Sequence, residues 1–233
     1  MAELKRDLHA EEAQAAWGWP SQSEARWPAQ VAIAVAIALQ LVLPDKLIQN
    51  LGPRWLVPTL EGALGLALII VSPRRITRES RDIRIAAIVL IALINIANAV
   101  SLAELIHALL SPSTSPAGRP LIIASVPIWL TNVIVFGLWY WELDRGGPAR
   151  RLCDDHRRPD FLFPQMSTPG SAQIGWTPGF VDYLYTSFTN ATAFSPTDTM
   201  PLTPWAKLLM ALQSLASLLT VALVVSRAVN ILA

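Results

Sequence analysis

Residues 85–110 read IAAIVLIALINIANAVSLAELIHALL, and this stretch decides the class of fold. It holds 26 residues with one acid, Glu104, and one imidazole, His107, both near its end. A helix needs about 20 apolar residues to cross the hydrocarbon core of a bilayer, and this run exceeds that. Comparable runs lie on both sides: PAQVAIAVAIALQLVLP at 28–44, WLVPTLEGALGLALIIVS at 55–72, LIIASVPIWLTNVIVFGLWYW at 121–141 and WAKLLMALQSLASLLTVALVVSRAVNILA at 205–233. The chain is 53% hydrophobic and 15% charged, against about 25% charged in soluble domains. Its mean hydropathy is +0.42. The expectation is an all-α, polytopic helical membrane protein.

Composition also excludes classes. A net charge of +1 leaves no basic surface for nucleic acid. The single cysteine, Cys153, rules out an internal disulfide. No Ser-His-Asp, Cys-His, paired-carboxylate or zinc pattern is present, so an enzyme, a metal site and a cofactor are not expected. His156 beside Asp154 and Asp155 lacks a metal-ligand spacing and reads as a solvated loop. Residues 1–27 form a polar lead of both charge signs, without the basic start and short apolar core of a secretory signal. Trp17, Trp19 and Trp27 suit an interfacial approach to the first span.

The chain divides into this lead, a four-span region at 28–141, a polar loop at 142–179 and a final unit at 180–233. The polar loop is rich in Gly and Pro and near charge balance, which reads as surface. Within 180–191, FVDYLYTSFTNA reads as one short helix; TAFSPTDTMPLTP after it is irregular. Lipid offers no hydrogen bonds, so irregular backbone at membrane depth must be buried in protein or line a wet cavity.

The run FVDYLYTSFTNATAFSPTDTMPLTPWAK, residues 180–207, resembles the pore module of tetrameric potassium channels. Phe180, Asp182, Leu184, Tyr185, Ser187 and Phe188 match that module's pore helix without a gap. Thr192 matches the threonine before the filter, and Asp198 the acid after it. Pro201, Thr203, Ala206 and Lys207 match the start of the inner helix. The resemblance implies about five spans plus a re-entrant pore helix and loop, a homo-oligomer with a tetramer favoured, and monovalent cations as partners beside the lipid bilayer. The filter itself departs from the family. Ala193, Phe194, Ser195, Pro196 and Thr197 stand where T-V-G-Y-G is usual. The glycines that permit the carbonyl cage are gone, and Pro196 constrains itself and Ser195. The implied protein is an ion-channel-like cation pathway with a non-potassium filter, its last helix lining the pore with QSLAS, Gln213–Ser217. The order WYWELDRGGP, DFLFPQ, DYLYTSFTNATAFSPTDT, RAVNIL also looks like an uncharacterised family of bacterial integral membrane proteins. That likeness implies a bacterial plasma membrane and one unit along the whole chain.

Other readings stay open. Asp198 and Thr197 either form an acidic, hydroxyl-lined ring around an axis or cap the entry to the last helix. Glu61 stands inside an apolar run, where an ionisable residue points to function; with Asn95 and Asn98 it offers a polar seam and a small transporter site, or simply helix–helix bonds. Glu104 and His107 share a helix face. The small residues of EGALGLAL suit close helix packing. The fold also suits a non-conducting scaffold that partners other membrane proteins.

With the N-terminus in the cytoplasm, segments 1–27, 73–84 and 142–179 carry three, five and five Lys or Arg on that side. The loops at 45–54 and 111–120 carry two and one. The positive-inside rule then gives a cytoplasmic entry to 180–197. Three readings remain: an inverted pore loop, six full spans, or a failure of the rule because the 142–179 loop balances its five Arg with five acids.

Overall fold

A computed structural model describes residues 24–48, 50, 52–71, 75–76, 81–110, 118–151, 158–167, 176–192 and 198–232. The fold is all-α. Helices α1 (Trp27–Val42), α2 (Leu56–Val71), α3 (Arg81–Leu110) and α4 (Gly118–Leu143) form the first part. The short α5 (Pro164–Ser167), then α6 (Phe180–Thr192) and α7 (Pro204–Leu232), complete it. Two two-residue ladders tie the chain: β1 (Glu24–Ala25) with β2 (Arg75–Ile76), and β3 (Phe161–Leu162) with β4 (Met200–Pro201), both antiparallel.

Among the described residues, three helices are long and apolar enough to cross a membrane, within Arg81–Leu110, Ile122–Gly146 and Pro204–Arg227, as in an integral membrane protein. Helices α1 and α2 are apolar but have 16 residues each, about 24 Å of helix against a core of about 30 Å. Trp27 and Trp55, both exposed, flank them at opposite ends.

Helix α4 is the central post. α1, α3, α6 and α7 all pack on it, so Ile128, Val135, Leu138 and Tyr140 are fully enclosed. Against it α1 turns Ala29, Ala32 and Ala36, one face at helical spacing; small residues let backbones approach. Helix α3 turns Leu90, Ile91, Ile94, Ala97 and Leu105 inward. Helix α6 comes close at Gly137, where an added Cβ would sit 3.1 Å from Leu184 Cα. The glycines of EGALGLAL behave otherwise. Gly62 faces open space, and with Gly65 it lines an apolar groove of about 430 Å³ between α1 and α2. Their smallness opens a groove instead of closing a contact.

One end of the bundle, the near end, gathers β1, the start of α3, the end of α4 and the starts of α6 and α7. Glu24 pairs with Arg151, Arg84 with Glu142, Tyr183 with Asp144 and Trp205 with Asp160. The opposite, far end holds the α1–α2 connection. There Arg54 Nη1 meets Asp45 Oδ1 at 3.0 Å, and Asn50 donates to Glu104.

Candidate functional site

Helix α6 begins at the near end with a local device. Asp182 Oδ2 accepts from Gly179 N at 2.8 Å, just before the first turn. This satisfies one orphan donor, and an acid suits the positive end of the helix dipole. The helix has 13 residues, about 20 Å, and wedges between α4 and α7.

Polar side chains hold the wedge at depth. Tyr140 donates its hydroxyl to Gln213 Oε1 at 2.6 Å. Gln213 Nε2 donates to Ser187 O at 2.9 Å. Ser187 Oγ donates to Val133 O at 2.6 Å. Asn190 Nδ2 reaches Gln213 Oε1 at 2.8 Å and Met210 O at 2.9 Å, and Ser214 Oγ donates to Asn190 Oδ1 at 3.0 Å. One layer down, Asn132 Nδ2 donates to Ser217 Oγ at 2.9 Å. Gln213 lies nine residues into α7, about 14 Å along it, close to half the thickness of a hydrocarbon core.

The chain then returns. The hydroxyls of Thr186 and Thr199 stand 3.1 Å apart, and Met200–Pro201 pairs with Phe161–Leu162 beside Asp160 at the near end. Thr192, the last residue of α6, is half-buried with its hydroxyl on Thr189 O at 2.8 Å. Asp198 is exposed on the returning segment. Helix α7 begins only at Pro204, so Asp198 is too early to cap it. Ala193, Phe194, Ser195, Pro196 and Thr197 lie outside the described residues, as do Cys153, Asp154, Asp155 and His156.

The QSLAS segment differs from expectation. Gln213 and Ser217 are 0% and 1% exposed, while Leu212 and Leu215 are 58% and 56% exposed. The polar atoms turn toward α4 and α6 because they find partners there; an unpaired amide facing lipid costs more. The free face of α7 is therefore aliphatic. On α6, Val181, Tyr185 and Phe188 are exposed as well.

The 142–179 loop also differs. Its first part is buried. Arg151 sets Nη2 3.0 Å and Nε 3.2 Å from the Glu24 carboxylate oxygens, and Nη1 2.7 Å from Trp141 O. Its guanidinium stacks 5.3 Å from the Tyr183 ring centre. Tyr183 donates to Asp144 Oδ2 at 2.6 Å, and Asp160 N donates to Asp144 Oδ1 at 2.8 Å. Asp160 accepts from Arg145 N at 2.8 Å and from Trp205 Nε1 at 3.0 Å. The turn is sharp: Arg145, Gly146 and Gly147 have φ of 53°, 83° and 100°. A Cβ on Gly147 would meet Glu142 O at 2.8 Å, so only glycine fits there. Burial depresses the proton affinity of the Arg151 guanidinium, but Tyr183, Glu24 and Asp144 outweigh it and hold its pKa above the ordinary value. Arg26 goes the other way: burial lowers its pKa more than Glu142 and Glu24 raise it.

Glu61 is buried beside Gln40, whose Nε2 lies 3.4 Å from Oε1. Among the described residues, no hydrogen bond joins it to Asn95 or Asn98. Asn98 is buried and Asn95 half-buried on α3. Glu104 bonds Asn50, and His107 is exposed.

Sequence reasoning missed the Tyr140–Gln213–Asn190 cluster and the Glu24–Arg151 cluster. A signal for the first existed: Asn132 and Gln213 are amides inside apolar runs, which read as interhelical bonds. No family model, no curated protein and no solved structure matches the chain.

Proposed function

We propose that the protein is an oligomeric, channel-like membrane protein of the bacterial plasma membrane, with five spans and a re-entrant segment at 180–201. Small monovalent cations pass beside that segment, without potassium-type selectivity. One observation carries the reading: α6 starts at the near end, reaches the level of Gln213 and Ser214, and the chain is back at the near end by Met200. The irregular polar stretch that the sequence shows after α6, TAFSPTDTMPLTP, belongs to this reading. Such backbone needs protein or water around it. Symmetry-related copies, four in the favoured arrangement, supply both, and bring the exposed Asp198 carboxylates together as a cation-attracting ring.

A second reading rests on the aliphatic outer face of α7, with Leu208, Leu212, Leu215 and Leu218 exposed. A dry face of this kind suits a non-conducting scaffold docked on another membrane protein.

The test joins mass and flux. The chain in lipid nanodiscs is weighed, and liposomes are assayed for potassium, sodium and proton flux. A tetramer whose cation flux falls at least tenfold in Asp198→Ala supports the pore. A monomer or dimer without flux of any tested ion overturns it.

A further inference from the structure

Glu61 is fully enclosed, and its surroundings do not suit an anion. Its only described partner is the Gln40 amide, at the long distance of 3.4 Å, and Oε2 has no hydrogen-bond partner. Among the described residues, charged groups do not compensate. Helix α1 carries no titratable side chain. At the far end Asp45 and Arg54 hold each other at 3.0 Å. On α3, Glu104 bonds Asn50, and His107 is exposed. A buried carboxylate without a counter-charge is costly in a low-dielectric interior. A proton on Oε2 removes that cost and leaves Oε1 free to accept from Gln40.

A small void lies beside Gln40, the residue that holds this carboxyl. A void of about 10 Å³ sits between Gln40, Ile48, Pro53, Arg54, Val57 and Pro58, close to the roughly 10–15 Å³ that holds one water. Val57 is four residues before Glu61, hence on the same face of α2 one turn nearer the far end. Gln40 lines the void and bonds Glu61, so it links the two.

We propose that Glu61 is a proton-binding site within the membrane, loaded from the far-end water through the void beside Gln40. The step is simple: a hydronium ion gives its proton to Oε2 and leaves as water, the carboxylate becomes a neutral acid, and the same path returns the proton. The site is independent of the pathway proposed at 180–201 and stands if that pathway fails.

Infrared difference spectroscopy on the full chain in liposomes tests it. The expected result is a neutral carboxylic-acid carbonyl band that shifts in heavy water and is missing in Glu61→Gln. Val57→Trp fills the void and slows that deuterium shift at least tenfold. Absence of the band, its persistence in Glu61→Gln, or an unchanged exchange rate in Val57→Trp overturns the proposal. A readout on the unaltered chain guards against misfolded variants. Dicyclohexylcarbodiimide, which reacts with protonated carboxyls in apolar surroundings, labels Glu61 at least tenfold faster at acid than at alkaline pH. No adduct on Glu61 at any pH overturns the proposal as well.

Discussion

Arg151 lies against Glu24 across 127 residues of chain, with Nη2 3.0 Å from both carboxylate oxygens. Neither is exposed, and Arg151 Nη1 also donates to Trp141 O and Asp144 O. This pair closes the near end of the bundle over the top of α6. Removing one partner strands a buried charge, which costs about 3–5 kcal/mol. Arg151→Met alone and Glu24→Gln alone are each expected to lower stability on that scale. The double variant loses less than the sum. Thermal unfolding in detergent, run as a double-mutant cycle, reads the difference; additive losses would mean the two do not act as a pair.

Gly137 against Leu184 sets how closely α6 approaches α4. The atom that a new Cβ meets is backbone, so it cannot rotate away. Gly137→Ala should cost about 1–3 kcal/mol, the range of overpacking, and Gly137→Leu more. Equal unfolding temperatures for Gly137→Ala and the parent would show that α6 has slack.

Gln213 has three described side-chain partners, Tyr140, Ser187 and Asn190. Gln213→Leu keeps the volume and leaves the Tyr140 hydroxyl without its acceptor, while Ser187 keeps Val133 O and Asn190 keeps Met210 O. Interhelical bonds in membranes are worth roughly 0.6–2 kcal/mol each, so a loss of about 1–3 kcal/mol is expected, with the larger part from the stranded hydroxyl. Ser217→Ala removes a single bond, from Asn132, and should cost less. Unfolding in mixed micelles ranks the two, and the reverse order would relocate the anchor of α6.

Five spans with a re-entrant segment put the two termini on opposite sides of the membrane; six spans put them on the same side. Reporter fusions at Met1 and Ala233 decide this. Both termini reporting from the cytoplasm would replace the re-entrant reading with a full span at 180–197.

The positive-inside count changes meaning once the near end is seen. Arg84, Arg145 and Arg151 contact Glu142, Asp144 and Glu24, so three of the counted arginines build structure. A count along the chain does not separate a free arginine from one already paired.

The apolar runs by themselves determined the class and the positions of the helices. The short helix expected at 180–191 is seen at Phe180–Thr192, and the run at 205–233 as Pro204–Leu232. Hydropathy, helix periodicity and capping at Asp182 are local properties, written within a few residues. Only the tertiary structure decided which face of α7 is polar-bonded, that Glu142, Asp144 and Arg151 are buried, and that Glu61 meets Gln40 and not Asn95 or Asn98. Buried charges and amides depend on their partners, and several here are remote: 21 residues for Gln40 and Glu61, 127 for Glu24 and Arg151. Such pairings come from how helices stack around α4, which no window of sequence contains.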